Sequence, residues 1–422
     1  VYSTNKLNMA GGLMQLVAYG AQDVYLTGNP KVTFFQAVYK RHTNFAMENI
    51  EQTVNGTAGN SGRLSVTVAR NGDLIADMYV EMKAKALATR AKDGAAADCC
   101  WVAERAIKDV ELSIGGQRID KHYQRWWRLY SELYLDEAKK ANWGKMTTGD
   151  DSTVYLPLIF FFNRNPGLAL PLIALQYHEV RLDFDLTDKW TQYTDGSTFK
   201  VWGNYVYLDT EERRRFAQKG HEYLIEQVQH TGSDAVAAGT KQIRLSYNHP
   251  VKELVWCVEK TEANSANSFL WNFTTASPIA TCDAFADAVS NVAVSTSELG
   301  APVILQGPNA PRFSEETGNQ FTDFKLVLNG QDRMKAQGSK YFNQVQPFNH
   351  HSGCPAPGIY SYSFALKPEE HQPTGTCNFS RIDNAQVAIT LPASCNPTLS
   401  MFATNYNVLR IQSGMGGLAF SN

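Results

Sequence analysis

DVELSIGGQRIDK (Asp109–Lys121) decides the fold, because it returns as DFKLVLNGQDRMK at Asp323–Lys335. The offset is 323 − 109 = 214 residues. In both copies apolar residues alternate with polar ones, Val110, Leu112 and Ile114 in the first, Phe324, Leu326 and Leu328 in the second. A two-residue period belongs to a strand with one buried face. Each run meets Gly115-Gly116 or Asn329-Gly330, followed at once by Gln117 or Gln331. Such pairs tolerate positive φ and reverse the chain into a hairpin.

Two further anchors keep the same order. HEVRLDFDL (His178–Leu186) alternates like AQVAITL (Ala385–Leu391), and setting Val180 against Val387 gives an offset of 387 − 180 = 207. Leu74–Met82 follows Asn71-Gly72 much as Val251–Lys260 follows Asn248-His249-Pro250, at an offset near 178. The offsets vary as loop lengths would, so the chain reads as one β-domain built twice.

Composition fits that reading. The 422 residues are 43% hydrophobic, with 21 Phe, 19 Tyr and 8 Trp, enough for more than one core. Thirty Gly and 16 Pro are spread along the chain, as short strands separated by turns require. A net charge of −2 gives no reason to expect direct nucleic-acid binding. Seven cysteines, an odd number without a CxxC pair, argue against a zinc site or a disulfide framework. Apolar runs at 154–162 and 168–175 are cut by Pro157, Pro166 and Pro171, well short of the about 18 residues of a spanning helix. No signal peptide is visible, and Met9 would be a natural start.

Outside the anchors, residues 9–30 form an apolar arm whose first half suits a short amphipathic helix through Leu13, Leu16 and Val17. It can pack on its own domain, on a neighbour or on a membrane surface. Tyr123, Trp126, Trp127, Tyr130, Leu133 and Tyr134 recur at helical spacing, which predicts an aromatic helix after Asp120, clamped on a sandwich edge. Its counterpart, Ser339–Val345 before Pro347, reads as a much shorter turn. DTEERRRFAQKG (Asp209–Gly220) is the expected linker, a solvated helix whose arginines are balanced by Asp209, Glu211 and Glu212. Long polar segments at 83–108 and 262–319 read as surface elaborations, the second projecting outward.

GGLMQLVAYGAQDVYLTGNPKVTFFQAVYKRHTNFA (Gly11–Ala46), LPLIFFFNRNPGLALPLIALQYHEVRLDF (Leu156–Phe184), GTCNFSRIDNA (Gly375–Ala385) and NYNVLRIQSGMGGLAF (Asn405–Phe420) carry a resemblance. The chain resembles the major capsid proteins of nucleocytoplasmic large DNA viruses, nearest the chlorovirus and other phycodnavirus branch. The resemblance implies an all-β double jelly roll, two tandem eight-stranded sandwiches with short helices in the loops. The expected division is 1–45, arm and first strand; 46–212, first jelly roll; 213–422, second jelly roll. It also implies a structural role in the virion capsid, assembled in the host cytoplasm. Homotrimers would act as pseudo-hexagonal capsomers tiling an icosahedral shell. Further expected partners are other capsomers, minor capsid and penton proteins, and the internal viral membrane through the arm.

Motifs for catalysis or cofactors are lacking. His178-Glu179 opens an HExxH-like string, but position 182 is Leu. Gly414–Ala419 has dinucleotide-loop spacing with no room for the helix and strand that must follow, so it reads as a C-terminal turn. His350-His351 lacks the spacing of a cupin metal site. No catalytic, metal-binding or cofactor-binding residue is assigned, and no cofactor is expected. Two other readings stand beside it, a carbohydrate-binding sandwich with the aromatics as sugar platform and a cupin-like metalloenzyme. Sequons occur at Asn55, Asn272 and Asn378. Asn272, in the long outward segment, is the preferred glycosylation site, and Asn378, in a strand-like stretch, reads as structural.

Overall fold

The computed structural model describes residues 11–86, 101–149, 151–260, 293–296, 302–305, 321–356, 358–392 and 397–420. The chain divides into two compact units between Asn44 and Phe45. Within the first unit the described residues hold two short helices, Gly11–Val17 and Val24–Thr27, and no strand. The first strand, expected inside residues 1–45, begins only at Phe45. The physical reason lies in Val32–Tyr39, which is apolar on both faces and finds no strand to pair with among the described residues.

The second unit opens with β1 (Phe45–Gln52), β2 (Val54–Asn55), β3 (Arg63–Thr67), β4 (Leu74–Ala84) and β5 (Ile107–Ile114). It continues with β6 (Gln117–Tyr123), β7 (Thr153–Pro157), β8 (Leu170–Pro171), β9 (Val180–Leu186) and β10 (Thr194–Leu208). Two sheets result, β1-β10-β4-β7 with β8 beside β4, and β2-β3-β9-β5-β6. The pairing is nested: β1 with β10, β3 with β9, β4 with β7 and β8, and β5 with β6, all antiparallel. A long hairpin rolled onto itself in this way is a jelly roll.

The remaining strands repeat the plan. They are β11 (His221–Ala235), β12 (Gly239–Leu245), β13 (Pro250–Lys260), β14 (Ala293–Thr296), β15 (Pro302–Leu305) and β16 (Asp323–Leu328). After them come β17 (Gln331–Asp332), β18 (Ile359–Ser363), β19 (Cys377–Asn378), β20 (Ala385–Leu391), β21 (Pro397–Gln412) and β22 (Met415–Leu418). Their sheets run β11-β21-β13-β18 and β12-β20-β16-β17, while β14 and β15 pair only with each other.

Register makes the repeat quantitative. Ile114 faces Gln117 and Leu328 faces Gln331, so the 214-residue offset holds across both turns. Asn329 and Gly330, like Gly115 and Gly116, take positive φ, the two-residue hairpin geometry expected from their identities. Pairing corrects the other offsets. Leu112 faces Leu182 and Leu326 faces Val387, giving 387 − 182 = 205 rather than 207. A two-residue slip keeps the same face buried, so alternation alone could not detect it. Ile75 faces Tyr205 and Val251 faces Asn405, giving 251 − 75 = 176 and 405 − 205 = 200. Both β4 and β13 carry an irregularity at this point, so the copies share even their bulge.

Each sandwich fills its interior from both sheets. In the second, Leu254, Trp256 and Val258 of β13 meet Phe324, Leu326, Val387 and Ile389 from the facing sheet. Trp256 stacks on Phe324 with ring centroids 4.4 Å apart. Trp256→Ala is expected to cost about 3–5 kcal/mol, read as a lowered denaturation midpoint by circular dichroism.

Candidate functional site: the seam between the sandwiches

A second face of β13 is also buried. Val255 and Cys257 point away from their own sandwich and join the core that belongs mainly to the first. What covers them is the aromatic helix, Gln124–Leu133, which starts after Tyr123 rather than directly after Asp120. Asp120 stays in β6, where its Oδ1 accepts a 3.0 Å hydrogen bond from Val228 N of the second sandwich. Trp126 packs on Phe402 of β21 at 5.7 Å, and Tyr123 meets His230 of β11 at 5.0 Å. The helix therefore clamps two sandwiches together rather than one edge. Trp126 and Trp127 are buried, so they offer no platform for a sugar.

Charges line the same seam in compensated groups. Glu226 of β11 binds Arg164 at 2.9 Å and Lys252 at 2.7 Å. Burial pushes the Glu226 carboxyl up, yet the two cations outweigh it and hold it below the usual range. Glu132 of the aromatic helix binds Lys140 at 2.9 Å and Arg128 at 3.1 Å, and accepts from Ala356 N. Lys140 also reaches the Cys354 carbonyl at 2.6 Å, stitching the two halves. Tyr134 donates to Glu253, burial having pushed its hydroxyl well above the phenol range so that it keeps its proton.

His351 sits between Glu253 and Glu369 with its side chain fully buried. Burial alone would push the imidazole down, but Glu253 and then Glu369 outweigh it and raise it to about 9. Glu369 is pushed up by burial and pulled down further by His351 and Ser352, ending below the usual range. His350 turns elsewhere, to the Leu366 carbonyl, so the two histidines do not converge. Among the described residues no group of three His, Cys, Asp or Glu side chains is disposed to hold a metal ion.

Glycines finish the seam at its turn end. Tyr177 N donates to the Gly414 carbonyl at 3.0 Å, and Leu418 N donates to Gln117 Oε1 at 3.1 Å. His178 Nδ1 lies 2.9 Å from the Gly416 carbonyl, so the residue that opened an HExxH-like string is a packing contact. A Cβ on Gly416 would fall 2.7 Å from Leu175 Cδ2. The C-terminal turn expected at Gly414 leads into a strand that was not, Met415–Leu418, where Gly416 serves close approach.

The linker forms the helix Thr210–Gln218, without a side-chain cap from Asp209. Its basic run is not simply solvated, since Arg213 binds the buried Asp73 at 2.7 Å. The counterpart of the aromatic helix, expected to stop before Pro347, runs on as Tyr341–Val345 and Gln346–His350. A π-turn precedes Pro347 and lets the helix pass a residue that has no N–H to give.

Of the sequons, Asn55 is exposed on β2, opposite Ser65. Asn378 lies opposite Pro250; its Oδ1 accepts from Ser380 N, and Ser380 Oγ accepts from His249 N. Asn272 and nearly all of 262–319 lie outside the described residues.

Nested pairing repeated in one chain, with a buried seam between the copies, defines a double jelly-roll structural protein. Residues 33–209 match the family described as "Major capsid protein N-terminus", and residues 212–417 the one described as "Large eukaryotic DNA virus major capsid protein". The chain is 44% identical to the major capsid protein of Paramecium bursaria Chlorella virus 1, covering 98% of this chain and 100% of the relative. It is 39% identical to that of Phaeocystis pouchetii virus over the same shares. A solved structure titled "PBCV-1 virus capsid, quasi-atomic model" superposes with a TM-score of 0.76 at 39% identity, covering 92% of this chain and 100% of that one. The Faustovirus major capsid protein shares the fold, with a TM-score of 0.69 at 15% identity, covering 95% and 96%. The chain belongs to the large eukaryotic DNA virus major capsid protein family, whose members are structural rather than enzymatic.

Two outcomes follow from the seam. An unfolded histidine titrates near 6.5 and His351 in the fold near about 9. Its stabilisation is therefore complete below about pH 6.5 and lost as pH rises through about 9. Thermal melts across pH 6–10 are expected to show that alkaline loss in the wild type and not in His351→Gln, which should itself cost about 3–5 kcal/mol at neutral pH. Gly416→Val is expected to lower the melting temperature by forcing Leu175 and Ile114 apart, whereas Gly59→Ala, with open space around it and no positive φ, should lower it much less.

Proposed function

We propose that this chain builds the capsid shell as a homotrimer of pseudo-hexagonal outline, with residues 46–212 and 213–422 as its two tiles. The observation that carries the reading is the residue-by-residue repeat of both sheets, bulge included. Two similar sandwiches per chain give three chains six similar units, so a threefold ring can tile a flat icosahedral facet. Joints between such chains are heterologous and close into a ring. Assembly takes place in the host cytoplasm, with minor capsid and penton proteins completing the shell.

The arm supplies the inward contact. Leu16, Tyr25, Leu26, Phe34, Phe35 and Tyr39 are all strongly exposed, far more apolar surface than a soluble terminus needs. No helix among the described residues is long and apolar enough to cross a membrane, so an interfacial contact with the internal membrane or a minor protein suits the arm better. The sequons at Asn55 and Asn272 are the candidate glycosylation sites. Asn378 is engaged with its own sequon serine and is read as structural.

Light scattering of purified protein is expected to give a three-chain mass, with near-hexagonal rings in negative stain; monomers or dimers under all conditions would sink the reading. Peptide mass spectrometry of virions is expected to find sugar on Asn55 or Asn272 and none on Asn378.

A further inference from the structure

Two histidines of the second sandwich are seated against the first. His230 of β11 stacks on Phe402 with ring centroids 4.3 Å apart and meets Tyr123 of β6 at 5.0 Å. Its Nδ1 donates to the Met401 carbonyl at 2.8 Å, which leaves Nε2 as the atom that takes an added proton. His371, in the loop between β18 and β19, lines a cavity of about 260 Å³ that bridges the seam. Tyr130, Phe161 and Arg164 wall it from the first sandwich, Glu226 and Glu369 from the second. His371 Nδ1 is 3.9 Å from the same Glu226 carboxylate that holds Arg164 at 2.9 Å.

Each ring thus has an arginine of the first sandwich before it. For His230 it is Arg125, two residues beyond Tyr123 at the start of the aromatic helix; for His371 it is Arg164 of the short helix Phe161–Arg164. Burial, the largest cause, pushes both imidazoles below the usual range. The Met401 carbonyl and Asp234 pull His230 back up, and Arg125 pushes it down. Glu226 pulls His371 up, while Arg164 and Lys252 of β13 push it down. The remaining neighbours keep their charge in mild acid. Glu226 and Glu369 are held below the usual carboxylate range, Tyr123, Tyr130 and Tyr134 above the phenol range, and Lys121 lies over the Tyr123 ring at 5.6 Å. His351, between its two carboxylates, is charged already.

We propose that His230 and His371 form an acid-sensitive latch on the seam: once protonated, each sets a cation against an arginine of the opposite sandwich, and the sandwiches loosen while each keeps its own core. An unfolded histidine titrates near 6.5, and these two titrate lower in the fold. What they contribute is therefore complete above about pH 6.5 and lost as pH falls through their folded values. That window lies on the acid side, opposite to the alkaline loss expected from His351. The fixed angle between the sandwiches then holds at neutral pH and is released in acid.

The test is hydrogen exchange of the full chain, read by mass spectrometry and corrected for the intrinsic effect of pH. Protection of residues 124–133 and 398–406, which meet across the seam, is expected to fall roughly 10-fold from about pH 7.5 to about pH 5.5. Residues 182–186 and 387–391, inside the two cores, should keep theirs. The full chain carrying both His230→Gln and His371→Gln is expected to hold its seam protection across the range, circular dichroism melts at neutral pH having confirmed that it folds. Arg125→Gln, at a half-buried position, leaves both rings in place and should shrink the acid response, which keeps the test decisive if the double variant does not fold. Seam protection in the wild type that is flat with pH would overturn the latch. So would an acid loss that the double variant, or Arg125→Gln, shows in full.

Discussion

Burial of both faces of one strand, β13, is the constraint on which the rest depends. Its inward residues, Leu254, Trp256 and Val258, fill the second sandwich, while Val255 and Cys257 are claimed by the first. A strand of a solitary sandwich has one wet face. Giving it two dry ones ties the copies into a single body, and every special feature of the seam serves that end. The aromatic helix supplies the apolar area, Glu226 and Glu132 sit between paired cations, and the glycines of Gly414–Leu418 allow close approach.

The charged groups are costly in such a place. Each buried carboxylate needs compensation, because desolvation can exceed the gain from one ion pair. Here compensation comes in groups: Glu226 with Arg164 and Lys252, Glu132 with Arg128 and Lys140, Glu253 with His351 and Tyr134. These networks cross the boundary between the sandwiches. They penalise any other relative placement, since a shift would strand a charge without its partner. For a shell protein that fixed angle matters more than net stability, because tiles must meet at a repeatable geometry.

Duplication explains why the copies look alike and the seam explains why they diverge. Where the first copy has Trp126, Trp127, Tyr130 and Tyr134, the second has a π-turned helix ending in exposed Phe348. The first aromatic helix is a permanent intrachain clamp. Its twin, free of that duty, presents its aromatic to solvent.

Alternation at 109–114 and 323–328, with Gly-Gly and Asn-Gly after it, was enough to establish strands, hairpins and duplication, because those are local consequences of side-chain period and positive φ. Helical spacing of aromatics likewise marked a helix after Asp120, which in the fold runs from Gln124 to Leu133. The two-residue error in the second anchor shows the limit, for a shift of two leaves the pattern unchanged and only hydrogen-bond register resolves it. Nor did His178, Gly416, Arg213 or Asp120 announce their partners, which lie 238, 140 and 108 residues away for His178–Gly416, Arg213–Asp73 and Asp120–Val228. The sequence by itself determined what kind of sandwich this is and that there are two. Only the tertiary structure decided which faces touch, because burial and charge compensation depend on atoms brought together by folding rather than by order along the chain.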